Sequence, residues 1–350
     1  MSKSYRLIAS DMDGTLLNDA HRMSEKTKKV LCDLMYKHGV HFLFATGRHC
    51  LAVEDTRTEF IAYIQDYLKK ENLESSPLAK ETLFYLVSFN GGRVHTPNGK
   101  LIIEHNIDND IVTDIYRRYC VPNTAKRADS KPGDKEVVYT SAYTTDVWFM
   151  TANYYPGNEL EQKFGARPFF VPYPKDGQSP EEVTKDLNAQ EKELYKHKNN
   201  LGTQSVFDWF PTEKVGKLCL RCDSIDLLHK FERELNEKYG DRVSVAFSSN
   251  HCLDVTQGGI SKANAIQEVI DVIQSGAPAG HAPIKLSEVV SFGDSMNDKE
   301  MLAVAGMGYL MANAQPRLKE ELKDNATCQV TKLTNDEDGV ATILSELFSL

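Results

Sequence analysis

No apolar run of about 18 residues occurs in the 350-residue chain, so a membrane-spanning helix is not expected. Positive charge is not in excess either: 41 Lys and Arg face 50 Asp and Glu, a formal net charge of -9. That balance argues against nucleic acid or an anionic membrane as the main partner, yet leaves room for an anionic small molecule at a locally basic site. The opening MSKSYRLIASDMDG lacks a signal-peptide pattern, because Asp11 and Asp13 cut its apolar stretch short; the expected location is cytoplasmic. Paired cysteine motifs are scarce. Seven cysteines at irregular spacing include one CxxC, Cys219 to Cys222, in the strand-like KLCLRC, where positions three apart face opposite ways. No second pair completes a zinc site, so reduced thiols are expected.

What is present is an ordinary globular composition, 41% hydrophobic and 26% charged, at a length that suits two domains. YRLIAS reads as a short buried strand. Ser24 then opens SEKTKKVLCDLMYKHG, with an N-cap serine, apolar residues at helical spacing and Gly39 in the place of a C-cap glycine. VHFLFATGR and LFYLVSFN are further strands, separated by the helical FIAYIQDYLKK. Strands alternating with helices predict a parallel α/β sheet. After Gly92 the rhythm changes to a hairpin around Asn98-Gly99, strand-like DVWFMT and SVFDWF, and an α+β stretch ending near HCLDVTQ. From Ser261 the α/β rhythm returns. The expected architecture is one α/β domain, residues 1–92 and 256–350, interrupted by an inserted α+β domain at 93–255. Residues 156–204 are unusually polar, with a helix start at Ser179-Pro180-Glu181-Glu182; they read as solvated decoration of the insert, with a lid or an oligomer contact as the alternative.

The chemistry gathers at predicted strand ends. Asp11 and Asp13 lie two apart, a spacing that faces both the same way in extended chain. Ligands of open parallel sheets bind beyond the carboxyl ends of the strands. Two other strands end in polar residues there: FATGR with Thr46 and Gly47, and SFGDSMND with Asp294, Asn297 and Asp298. Lys262 opens a helix after Gly258-Gly259. Aspartates without clustered His or Cys favour Mg²⁺ over zinc. Thr46, the Gly47 amide, Asn297 and Lys262 are donors suited to phosphate oxygens. An aspartate attacking a phosphate needs its repulsion offset by cations, and a second carboxyl can protonate the leaving group. DMDGT fails as an EF-hand loop because its glycine falls at the fourth place, and GMG at 306–308 lacks a third glycine, so neither calcium-loop nor dinucleotide chemistry fits.

In this order the motifs resemble those of the haloacid dehalogenase superfamily, and more narrowly its Cof-type class IIB sugar-phosphatase-like hydrolases. DMDGTLL resembles the first motif, ATGR the second, GGISKANAI the third, and FGDSMNDKEML the fourth. The insert then occupies the class II cap position, on a Rossmann-like core. The resemblance implies Asp11 as nucleophile and Asp13 as general acid/base. It implies that Asp11, the Asp13 carbonyl and Asp294 hold Mg²⁺, with Asp298 supporting. Thr46, Gly47, Asn297 and Lys262 would bind the transferring phosphoryl group, and Asn90 of SFNGG would add a polar contact. The expected partner is a small phosphorylated metabolite, and the expected state is a monomer or weak homodimer. Two other functions would keep these residues: a phosphomutase of the phosphomannomutase type, and a phosphate-binding regulator without turnover. Residues 156–204 match no family feature, so the resemblance does not extend to the choice of substrate.

Overall fold

The computed structural model describes residues 5–125, 136–154, 158–173, 178–196, 201–277 and 282–350. The chain divides into two compact units, Met1–Glu104 with Ile260–Leu350, and His105–Gly259.

The first unit is built on an eight-stranded sheet. LIAS forms β1 (Leu7–Ser10), followed by β2 (His41–Ala45), β3 (Phe84–Ser88), β4 (Arg93–His95) and β5 (Leu101–Glu104). Six strands of the second unit intervene before β12 (Val289–Gly293), β13 (Met307–Leu310) and β14 (Cys328–Val330). The order across the sheet is β14-β13-β12-β1-β2-β3-β4-β5. β1 runs parallel to both neighbours, with Leu7 beside Val289 of β12 and His41 of β2.

Alternation along these strands feeds two apolar layers. Leu7, Ala9, Leu43 and Ala45 pack with Ala265, Ile266, Val269 and Ile270 of the helix Lys262–Gly276. Ile8, Phe42 and Phe44 pack on the other side with Leu31, Leu34 and Met35 of the helix Glu25–His38. Coverage on both faces is why the central strands read as continuous apolar runs. The helix Glu25–His38 begins and ends as its sequence predicts. Ser24 accepts a hydrogen bond from the Thr27 amide, and Gly39 takes the left-handed conformation, φ 67°, that closes the last turn.

The hairpin after Gly92 corrects the expected boundary at residue 93. β4 pairs antiparallel with β3, Ser88 opposite Arg93, and β5 pairs with β4. This covers the open edge of β3, a place where unpaired backbone groups would otherwise be exposed. Arg93 is fully buried and ion-paired at 3.2 Å to Glu104, its cross-strand partner within the hairpin. The other boundary moves from 256 to 260, because the last strand of the second unit runs to Gln257 and the Gly258 amide bonds the Arg242 carbonyl at 2.9 Å.

The second unit has a six-stranded sheet ordered β10-β11-β9-β6-β7-β8. Its strands are β6 (Tyr139–Tyr143), β7 (Trp148–Met150), β8 (Phe169–Phe170), β9 (Lys217–Arg221), β10 (Val243–Ser249) and β11 (Cys252–Gln257). All pairs are antiparallel except β7 with β8. Leu218, Leu220, Leu253 and Val255 are buried, while alternate positions carry the buried ion pair Lys217–Asp254 at 2.8 Å. SVFDWF is a single tight turn, Val206–Trp209, and not the expected strand; Ser205 caps it and Phe207 and Phe210 bury the same side. The predicted helix start at Ser179 is present as a reciprocal cap. Ser179 Oγ accepts the Glu182 amide at 3.2 Å, and Glu182 accepts the Ser179 amide at 2.8 Å. Within the polar segment 156–204, residues 156–157, 174–177 and 197–200 lie outside the described residues. All seven cysteines are reduced thiols, outside any disulfide.

Candidate active site

Chain order reverses beside β1: β2 and β3 are laid down on one side, β12 and β13 on the other. Loops leaving β1 and β12 therefore diverge and open a crevice at the carboxyl edge. The predicted residues arrive there from adjacent strands. Asp11 follows β1, Thr46 follows β2, Asn90 lies just beyond β3 and Asp294 follows β12. Lys262 is the first residue of the helix that packs across these strands.

The turn after β1 explains DMDGT residue by residue. Met12 and Leu16 are buried in the core and anchor it, with Asp11 and Asp13 flanking Met12. Gly14 has φ 71°, and a Cβ there would lie 2.7 Å from Asp294 Oδ2, so the two loops meet only because position 14 is glycine. Thr15 donates to Asp294 Oδ1 at 3.2 Å, and Ser295 donates to Asp294 Oδ2 at 3.0 Å. Asn313 fixes the same turn by donating to the Gly14 carbonyl at 2.7 Å.

Lys262 is fully buried. Its ammonium donates to Asp11 Oδ1 at 2.5 Å and to Asp298 Oδ1 at 2.6 Å. Asp298 Oδ2 accepts the amides of Asp294 and Ser295, both at 3.0 Å, so this carboxylate braces the loop that carries Asp294. Oxygens of Asp11, Asp294 and Asp298 lie within 4.8 Å of one another. Burial raises the pKa of Asp11 well above the usual carboxylate range, and the charges of Asp298 and Asp294 push the same way against the attraction of Lys262. Asp294 is raised to about 7, by burial first and by Asp298 second. Burial disfavours the charged form of Lys262, but the two aspartates outweigh it and its pKa rises.

The remaining polar residues form two further contacts. Asn297 Nδ2 donates to Asn90 Oδ1 at 3.0 Å, and Asn297 Oδ1 is buried with no hydrogen-bond partner. Asn90 sits in left-handed backbone, φ 55°, and its amide bonds the Thr46 carbonyl at 3.0 Å. Gly91 next to it has φ 111°, and a Cβ would fall 2.4 Å from the Ser261 carbonyl, so the β3 loop and the Lys262 helix abut directly. Thr46 Oγ1 accepts the Arg48 amide at 3.1 Å, which leaves the hydroxyl proton to donate. Gly47 lies in the turn between them.

The model of the haloacid dehalogenase-like hydrolases matches residues 8–344. This chain belongs to that family. It is thus a hydrolase of the haloacid dehalogenase-like kind, and curated proteins similar to it are named phosphatases. It is 28% identical to the HMP-PP phosphatase of Klebsiella pneumoniae over 317 residues, 91% of this chain and 88% of that protein. The solved haloacid dehalogenase-like hydrolase from B. subtilis superposes with a TM-score of 0.62 at 23% identity, covering 98% of this chain and 99% of that one. A HAD subclass IIB sugar phosphatase superposes with a TM-score of 0.59 at 17% identity, covering 99% of this chain and all of the other. These likenesses show a shared fold. Among the described residues, no helix of this hydrolase is long and apolar enough to cross a membrane.

Sequence reasoning missed several residues of the hydrolase site. Thr15, Ser295 and Asn313 hold the loops that carry Asp11 and Asp294; Thr15 and Ser295 belong to quoted motifs whose acidic members drew the attention, whereas Asn313 lies outside them. Arg48, the last letter of ATGR, grips Asp13 through both carboxylate oxygens: Nε to Oδ2 at 2.6 Å and Nη2 to Oδ1 at 2.5 Å. His21 Nδ1 lies 3.4 Å from the same Oδ1 and carries no motif signal.

Proposed function

We propose that the chain is a Mg²⁺-dependent phosphomonoester hydrolase that acts on small phosphorylated metabolites, sugar phosphates or similar, through an aspartyl-phosphate on Asp11. The supporting observation is the buried Lys262 shared by Asp11 and Asp298 with Asp294 alongside. Fully ionised, three carboxylates would leave two negative charges beyond the one ammonium in this buried cluster, and that excess adds to burial in raising the pKa of Asp11 and Asp294. A divalent cation offsets that imbalance, and an all-oxygen donor set suits Mg²⁺.

In this reading Asp11, Asp294 and the Asp13 carbonyl hold the ion, with Asp298 supporting through the bonds already described. When bound, the metal supplies charge stabilisation for the phosphoryl oxygens. The chain does the rest. Lys262 holds Oδ1 of Asp11, and Asp11 Oδ2 attacks phosphorus. Thr46, the Gly47 amide, Asn297 and Lys262 orient the phosphoryl oxygens, with Asn90 steadying Asn297. Asp13 gives a proton to the leaving oxygen and later takes one from the water that cleaves the acyl-phosphate. Phosphate release from a panel of sugar phosphates and HMP-PP, with Mg²⁺ or with EDTA, tests the proposal. Release that needs Mg²⁺ and no bisphosphate activator is expected. Unchanged release in EDTA refutes metal dependence, and an absolute need for a bisphosphate makes the chain a mutase.

A pH test follows from Asp294. Its pKa is raised from 3.8 to about 7 in the folded chain, so the folded state holds a proton that the unfolded state has lost. Metal-free protein therefore loses stability as pH rises between those values. Mg²⁺ needs the ionised site and stabilises only the folded chain. Its addition should raise the melting temperature by several degrees at about pH 8 and far less at about pH 5. Asp294→Asn should abolish the rise, as read by scanning calorimetry. A rise of equal size at both pH values would contradict the assignment of Asp294.

A further inference from the structure

Arg48 contacts Asp13 at this edge, yet the proposed reaction gives it no task. Its own placement is unusually firm. The amide bonds Thr46 Oγ1 at 3.1 Å, the carbonyl accepts the Phe89 amide at 3.1 Å, and Nη1 donates to the Ala52 carbonyl at 3.2 Å. Its side chain is 6% exposed, whereas that of Asp13 is 38% exposed. The arginine is thus the more firmly fixed member of the pair, and the half-exposed carboxylate the one it orients. A planar fork with two donors selects one plane and one rotamer of the carboxylate it meets.

We propose that Arg48 is the positioning residue for Asp13: its two-point contact sets the orientation from which Asp13 serves the leaving oxygen and the attacking water. The inference rests on the reading of Asp13 as acid/base. A half-exposed carboxylate on a turn has more than one rotamer open to it, and only a fraction of them can reach the reacting oxygen; the two-point contact selects one. Orientation errors of about 1 Å can reduce a rate by about a hundredfold, so a buried clamp on this side chain carries kinetic weight. Lysine cannot replace it, because a point charge on a flexible stem fixes neither the plane nor the second oxygen. The contact works on the proton-transfer partner alone. Neither Asp11 nor Lys262 depends on it, and Lys262 keeps its own bonds to Asp11 and Asp298.

The test compares Asp13→Asn, Arg48→Ala, Arg48→Lys and the double variant Asp13→Asn/Arg48→Ala on a sugar phosphate and on p-nitrophenyl phosphate. Inorganic phosphate inhibition and melting temperature are measured for each. Arg48→Ala and Arg48→Lys should both lower kcat/KM for the sugar phosphate at least about tenfold more than for p-nitrophenyl phosphate, whose leaving group needs little acid. Adding Arg48→Ala to Asp13→Asn should change neither substrate more than about twofold, since a positioning residue has nothing left to position. The inhibition constant of phosphate should stay within about twofold of the parent value in the Arg48 variants. Equal losses on both substrates, losses that multiply with Asp13→Asn, or weakened phosphate inhibition would each overturn the proposal and make Arg48 a phosphate ligand or a folding residue. Arg48→Lys keeps the charge and most of the volume, and decides the question by itself should Arg48→Ala fail to fold. The two readings fail differently. If Asp13→Asn shows no leaving-group selectivity, the acid/base assignment falls and this proposal with it. If Asp13→Asn shows it and the Arg48 variants do not, only this proposal falls.

Discussion

Asp11→Asn is expected to lower turnover by at least about four orders of magnitude while leaving the protein folded. An amide cannot form the acyl-phosphate, and the change removes one of the oxygens proposed to hold Mg²⁺. The fold should tolerate the change because the charge at this position is held against opposition. Burial and two neighbouring aspartates raise the Asp11 pKa above its unfolded value, so near neutral pH its ionisation weakens the metal-free fold. The substitution relieves that strain and loses an ion pair with Lys262, which keeps Asp298 as partner at 2.6 Å. The melting temperature in EDTA should therefore stay within a few degrees of the parent or rise. The stabilisation by Mg²⁺ should shrink. Substantial activity in a preparation shown free of other phosphatases, for instance by purifying Lys262→Met in parallel, would remove Asp11 from the role of nucleophile.

How much of this site was legible in the sequence depends on what kind of signal each residue leaves. Asp11, Thr46, Asp294 and Lys262 stand where an apolar run or a helix begins or ends. Periodicity locates such boundaries, and the parallel topology then brings them together at one edge. The contacts that hold them leave no periodic trace. Asp298 braces the Asp294 loop through backbone amides, which no residue type advertises. Arg48 meets Asp13 across 35 residues of chain, and only the geometry of the turn after Thr46 makes the pairing. The hairpin at 93–104 misled for a related reason. Its turn at Asn98-Gly99 is a local signal, readable from the sequence, but the choice of which sheet it joins is made by Ser88 opposite Arg93 and by burial of the Arg93 side chain. SVFDWF has the aromatic content of a strand, yet Ser205 accepts the Phe207 amide and turns the segment into a cap. Local hydrogen bonding by serine competes with strand formation there, and composition cannot show which wins.

Asp13→Asn should separate the two substrates more sharply than any other single change. The leaving alkoxide of a sugar phosphate needs a proton as its bond to phosphorus breaks, and Asp13 is the carboxyl assigned to supply it. A p-nitrophenolate leaves with far less help. Loss of the acid should lower kcat/KM for a sugar phosphate by about 10²–10⁴, and by less than about tenfold for p-nitrophenyl phosphate. The measure must be kcat/KM, which reports the steps through the first irreversible one; kcat also contains the attack of water on the acyl-phosphate, the step in which Asp13 is proposed as base. Crippling that later step should appear separately, as a burst of p-nitrophenol stoichiometric with enzyme followed by slow turnover. The substitution also breaks the charge pairing with the buried Arg48, whose guanidinium keeps its bond to the Ala52 carbonyl at 3.2 Å. A change in stability from that source acts on both substrates alike and cannot mimic selectivity between them. Equal losses of kcat/KM, with the Mg²⁺-induced rise in melting temperature unchanged, would mean that Asp13 transfers no proton. The residue would then serve the site through its carbonyl alone, and the acid would have to be sought elsewhere.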